Sequence, residues 1–83
     1  MSTAELHLAL LATGPRHGYE VKKEHDVWFP QTRPLAFGQV YATLGRLVRD
    51  GLAEVVDAPS GGGHERTVYA VTEAGRGRLK RWL

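Results

Sequence analysis

The apolar positions of this chain fall into short blocks, each closed by Gly or Pro. Leu6, Leu8, Ala9, Leu10 and Leu11 crowd together behind Ser2-Thr3-Ala4-Glu5. Ser at an N-cap with Glu three residues on is a capping box, so the spacing predicts an apolar first helix starting there. Gly14-Pro15 ends it, because Gly accepts the left-handed cap and Pro cannot continue the ladder. Residues 17–28 suit a second helix, with Tyr19, Val27 and Trp28 as its anchors and Glu20, Lys22, Lys23 and Glu24 outside. Trp28 and Phe29 beside Pro30 are placed to fold back on the core, and Pro30 and Pro34 hold residues 30–35 in a loop. A third helix fits residues 36–50, ending at Gly51. At about 100° per residue from Gln39, its Val40, Tyr41, Leu44, Leu47 and Val48 fall between roughly 80° and 200°. Gln39, Ala42, Thr43, Arg46 and Arg49 take the opposite side.

The pattern then changes period. Residues 52–57 are short and β-favouring, and residues 66–71 alternate β-branched and aromatic side chains. Between them, Ala58-Pro59-Ser60-Gly61-Gly62-Gly63-His64-Glu65 reads as a hairpin tip. Thr72 can cap a fourth helix running to residue 83, with Glu73 in its first turn. The stripe of that helix is Gly75, Leu79, Trp82 and Leu83. The order is helix, helix, helix, strand, wing, strand, helix. That is a mainly α fold with a small β-hairpin, the layout of a winged helix-turn-helix, whose second motif helix is narrow enough for the major groove of DNA.

Length and composition narrow the function classes. Eighty-three residues make one domain, residues 1–83, too small for a two-domain cleft or a Rossmann-type fold. Without cysteine there is no disulfide framework, thiolate metal site or Cys nucleophile. No apolar run approaches the ~20 residues of a membrane span, and MSTAEL lacks the basic start and apolar stretch of a signal peptide. A soluble, cytoplasmic chain without membrane contact is the expectation. His7, His17, His25 and His64 show no metal-ligand spacing, and His17 reads as a structural histidine at a helix start. The three glycines have no Gly-Lys-Ser/Thr continuation, and no Ser sits in a nucleophile elbow. Neither an enzyme nor a cofactor is implied.

What remains is a binding face. Gln39, Thr43 and Arg46 stand at i, i+4 and i+7 with Ala42 among them, so they share one side of the third helix. Gln can read adenine, Arg can read guanine, and Thr can meet a phosphate or a thymine methyl; the alternative is a solvated face. Arg49 either meets phosphate or offsets the helix dipole. Tyr41 can pack its ring on the core and offer its hydroxyl to phosphate. In the wing, Gly62 and Gly63 would let backbone amides approach phosphate, beside His64 and Arg66. Lys22 and Lys23 alternate with Glu20 and Glu24, the mark of an ion-paired face. The apolar end of the fourth helix suggests a homodimer of helix 4 against helix 1, through Leu6, Leu10, Leu79, Trp82 and Leu83.

Three stretches resemble the N-terminal DNA-binding domain of the PadR family of bacterial transcriptional regulators. They are Leu10-Leu11-Ala12-Thr13-Gly14-Pro15-Arg16-His17-Gly18-Tyr19-Glu20, then the run from Val40-Tyr41 through Leu44 and Leu47 to Asp50-Gly51-Leu52, and finally Tyr69-Ala70-Val71-Thr72-Glu73-Ala74-Gly75-Arg76. The resemblance implies a homodimeric repressor on double-stranded DNA, released by a small aromatic effector. The chain departs from it in three places. Ala42 stands where many members have Pro, the wing is poor in cations, and the sequence ends at Leu83, without the C-terminal helices by which many members dimerise. Winged helices also serve as protein-docking modules, the rival reading. Overall charge does not separate the two. The net is +2, but residues 76–83 hold four of the cations and no acid, leaving 7 Lys or Arg against 9 acids, net −2, for the rest. The DNA reading therefore rests on Arg46 and Arg49 sharing one helix side.

Overall fold

The computed structural model describes residues 2–31, 33–58 and 66–82. Its first helix, α1 (Thr3–Ala12), begins at the expected capping box. The Glu5 N–H donates to Ser2 Oγ at 3.2 Å, and the Ser2 N–H donates to Glu5 Oε1 at 3.2 Å. After the Gly14-Pro15 turn comes a strand the sequence pattern did not indicate, β1 (Arg16–His17). Two residues are too few to show a period of two. Helix α2 (Gly18–Trp28) follows at once, with the Glu20 carboxylate accepting from the His17 backbone N–H (3.0 Å) and from Nδ1 (2.7 Å). His17 is a helix-start residue, as read.

Helix α3 (Phe37–Arg49) is the most amphipathic element, and Val40, Leu44 and Leu47 are buried along it. Its C-terminal end is fixed by two backbone bonds. The Gly51 N–H donates to the Val48 carbonyl (3.1 Å) and the Leu52 N–H to the Leu47 carbonyl (2.9 Å). That pattern is a Schellman cap, and it needs the left-handed backbone that Gly51 supplies at φ +76°. The hairpin arms are β2 (Ala53–Asp57) and β3 (Val68–Val71). All three strands form an antiparallel sheet in the order β1-β3-β2, with Arg16 opposite Tyr69 and Ala53 opposite Val71, and a register shift between Val55 and Asp57. Helix α4 (Glu73–Trp82) closes the chain. Thr72 caps it, its Oγ1 accepting from the Gly75 N–H (3.1 Å) while donating to the Gly51 carbonyl (2.6 Å). One hydroxyl thus joins the end of α3 to the start of α4.

The core gathers Leu8, Leu10 and Leu11 of α1, Val21 of α2, Val40, Leu44 and Leu47 of α3, Tyr69 of β3 and Leu79 of α4. Two expectations are corrected here. Helix α2 does not anchor through Tyr19, Val27 and Trp28, all of which are exposed, Trp28 at 69%. Its inner face is Gly18, Val21 and His25. A histidine at the i+4 position from Val21 completes the apolar stripe, which a tally of apolar letters misses. Phe29 does turn inward, with its ring 5.5 Å from the His25 ring, but Trp28 does not.

Candidate nucleic-acid interface

The outward side of α3 is a strip of small residues with longer side chains along its edges. Gly38, Gln39, Ala42, Gly45, Arg46 and Arg49 are all exposed. Beyond the helix's own backbone and the flanking residues, nothing described lies within 4 Å of where a Cβ would stand at Gly38 or Gly45. A groove floor can therefore approach the helix backbone, while the edges supply reach. Gln39 and Arg46 lie on the edge toward the N-terminal end of α1; Gln39 borders a hollow shared with Thr3 and Leu6, and Arg46 one shared with Ser2, Thr3 and Glu5. Arg49 has Asp50 beside it, Nε to Oδ1 3.5 Å, in an exposed pair that contributes little to stability.

Thr43 is not on this strip. It is 2% exposed, and its hydroxyl donates back to the Gln39 carbonyl at 2.8 Å. By angle it lies next to Leu47 and Val40 rather than opposite them, so the fold draws it inward and satisfies its hydroxyl locally. The expected base or phosphate contact from Thr43 is withdrawn.

The other edge of the strip is aromatic. Tyr41 is half-buried because Gly18 makes room for it, and a Cβ at Gly18 would collide with the Tyr41 ring. The Phe37 ring stacks 6.4 Å from Tyr41 and 5.6 Å from Tyr19, centroid to centroid, and Lys22 Nζ lies 5.4 Å over the Phe37 ring. Lys22 also donates to Asp26 Oδ2 at 2.7 Å, which, with His25 and the Leu35 N–H, holds the Asp26 carboxyl near 2. Lys22 is thus ion-paired, though with Asp26 one turn on and not with the alternating Glu20 and Glu24, which pair with His17 and Arg16. The sequence reading passed over Phe37. The signal was present, since Phe37 and Tyr41 are i and i+4 on one helix.

The hairpin tip, with Gly62, Gly63 and His64, lies outside the described residues, as does Leu83. Arg66 is described and exposed. The proposed interface leucines are elsewhere than expected. Leu6, Leu10 and Leu79 are buried within the single chain, because α1 and α4 pack on each other there. An Arg76 guanidinium reaching the Ala12 carbonyl (3.4 Å) adds to that contact. Of the five, Trp82 alone is described with part of its surface open.

His7 and His25 are both buried, with ring centroids 6.3 Å apart. The described residues contain no group of three ligands able to hold a metal ion, and none of their helices is long and apolar enough to cross a membrane.

A family model described as the transcriptional regulator PadR-like family matches residues 7–81. The chain belongs to this family. Among solved structures, the PadR-family chain is similar to Bacillus subtilis PadR in complex with operator DNA, at a TM-score of 0.80 and 24% identity over 95% of this chain and 45% of that one. It is also similar to the Vibrio cholerae virulence activator AphA (TM-score 0.78, 28% identity, 98% of this chain and 43% of that one). A transcriptional regulator from Clostridium thermocellum superposes with a TM-score of 0.82 at 22% identity, over 96% of this chain and 77% of that one. This chain spans less than half the length of the first two. No curated relative matches it by sequence. As a PadR-family member it shares the winged-helix fold of these regulators.

Proposed function

We propose that this chain is a sequence-specific DNA-binding transcriptional regulator whose α3 enters the major groove. The observation that carries the reading is the exposed strip of α3. Its backbone is open at Gly38, Ala42 and Gly45, and Gln39 and Arg46 stand along one edge. Gln39 reads adenine and Arg46 reads guanine through paired hydrogen bonds. Arg49, the Tyr41 hydroxyl, Arg66 and the Gly62-Gly63-His64 wing meet phosphates, which set register without reading sequence. The Schellman cap at Gly51 and the Thr72 bridge hold α3 against the sheet, so the reading side chains start from a fixed frame.

The protein acts as a homodimer on a roughly palindromic operator, its half-sites spaced by whole helical turns. It represses by occluding a promoter and is released by a small aromatic ligand. With Leu6, Leu10 and Leu79 inside the chain, Trp82 is, among the described residues, the interface candidate that can still serve, and sedimentation of wild type against Trp82→Ala tests the pairing. Operator binding is tested by titrating duplex DNA at two salt concentrations. Affinity should fall steeply as salt rises, because counterions released from phosphate drive binding. Arg46→Ala should lose about 1–3 kcal/mol and relax preference at one base pair. Unchanged affinity in that variant would remove Arg46 from the interface. Absence of binding to any duplex would favour a protein-docking module instead.

A further inference from the structure

Phe37 is a large apolar side chain on the first turn of α3, yet it is 41% exposed. The core does not use it. It is held instead from the outside of the molecule, between the Tyr19 and Tyr41 rings and beneath the Lys22 ammonium, which Asp26 fixes in turn. Two rings and an ion pair thus orient one exposed ring. Beside it, Gly38 carries no side chain to stand between Phe37 and a surface that approaches the strip.

A recognition helix meets base edges with its N-terminal residues. In the major groove the one apolar feature of a base edge is the C5-methyl of thymine, and aromatic side chains are among the groups that contact it. Resting on the DNA-binding reading above, we infer that Phe37 is a specificity residue that packs its exposed ring on a thymine C5-methyl in each half-site. The polar edge of the strip, Gln39 and Arg46, then reads by hydrogen bonds, and the aromatic edge reads by methyl contact. A pre-stacked ring loses little rotamer freedom on contact, so the methyl's burial is not offset by ordering.

The test removes the methyl alone. Duplexes are selected from a random pool with the wild-type chain, and each thymine of the selected duplex is replaced in turn by deoxyuridine, which keeps every hydrogen-bonding group. Wild type should lose about fourfold at one position per half-site, the worth of one buried methyl. Phe37→Ala, with its fold verified by circular dichroism, should bind the thymine and uracil duplexes alike. As a second measurement on the unaltered chain, 5-iodo-deoxyuridine at that position should photocrosslink to Phe37. Equal uracil penalties in wild type and Phe37→Ala, no uracil-sensitive position, or crosslinking to Ala42 or Tyr41 would overturn the inference while leaving DNA binding intact. A gain confined to 5-methylcytosine would overturn the thymine assignment. Failure of the selection to yield any bound duplex would bring down the DNA reading, and this inference with it.

Discussion

Between pH 7 and pH 5, acidification should weaken this fold through the buried His7. Its side chain is 0% exposed, Nδ1 donates to the Thr3 carbonyl at 2.8 Å, and Nε2 is buried without a hydrogen-bond partner. Burial, reinforced by the nearby His25, lowers its pKa from 6.5 to about 4 despite the opposing Thr3 hydrogen bond. The unfolded chain, with His7 at its ordinary value, then binds the proton first as pH falls. Stability is full above about pH 7 and is lost progressively between about pH 6.5 and 4. Integrating that difference from pH 7 to pH 5 gives about 2 kcal/mol, a large part of what a small domain has. Urea unfolding followed by far-ultraviolet circular dichroism at the two pH values measures the loss directly, because the midpoint moves by the free energy divided by the slope. In His7→Leu the buried orphan nitrogen is gone, so stability at pH 7 should hold or rise. The loss on going to pH 5 should then be about 2 kcal/mol smaller than in wild type. Equal losses in both proteins would refute the argument, since every other titrating group is common to them.

Three further substitutions bear on the frame and the binding face. Gly51→Ala meets no atom, but places a Cβ at φ +76°; it should cost about 1 kcal/mol and lower the melting temperature by roughly 4–8 °C. Gly18→Ala collides with the Tyr41 ring, so differential scanning calorimetry should show a loss of about 1–3 kcal/mol, and duplex affinity should fall as Tyr41 and Phe37 shift. Thr43→Val removes a hydroxyl bonded only within α3, and duplex affinity should stay within about twofold of wild type, against the larger loss expected for Arg46→Ala.

Most of the fold was legible because its signals are local. A capping box, a Gly-Pro stop and a Schellman glycine each act within a few residues, and each stands where the pattern put it, at Ser2–Glu5, Gly14-Pro15 and Gly51. The amphipathic arc of α3 carried over for the same reason. The misreadings came from tertiary context. β1 exists because the turn before α2 runs beside the free edge of β3, a relation between residues 16–17 and 68–69 that no window contains. Helix α2 was anchored on the wrong face because His25, a polar letter, fills a buried position, while Trp28, the largest apolar one, is exposed.

The binding face shows the same division in finer form. Three residues at i, i+4 and i+7 were expected to share one exposed side, yet Gln39 and Arg46 are outside while Thr43, between them in sequence, is inside. At about 100° per residue, Thr43 stands only about 40° from Gln39, so which of two neighbouring residues is covered depends on where the adjacent helix lies and not on the spacing. The aromatic edge was lost for the converse reason. Phe37 looked like one more apolar residue at a helix start, and its meaning comes from Tyr19, which α2 brings to it across 18 positions of sequence. A chain whose residues 1–75 carry a net −2 can still present Arg46 and Arg49 on one exposed helix side, with Asp50, the acid nearest in sequence, paired to Arg49. Affinity for a polyanion follows from where charge stands on the folded surface, and on the proposed reading one thirteen-residue helix would decide it.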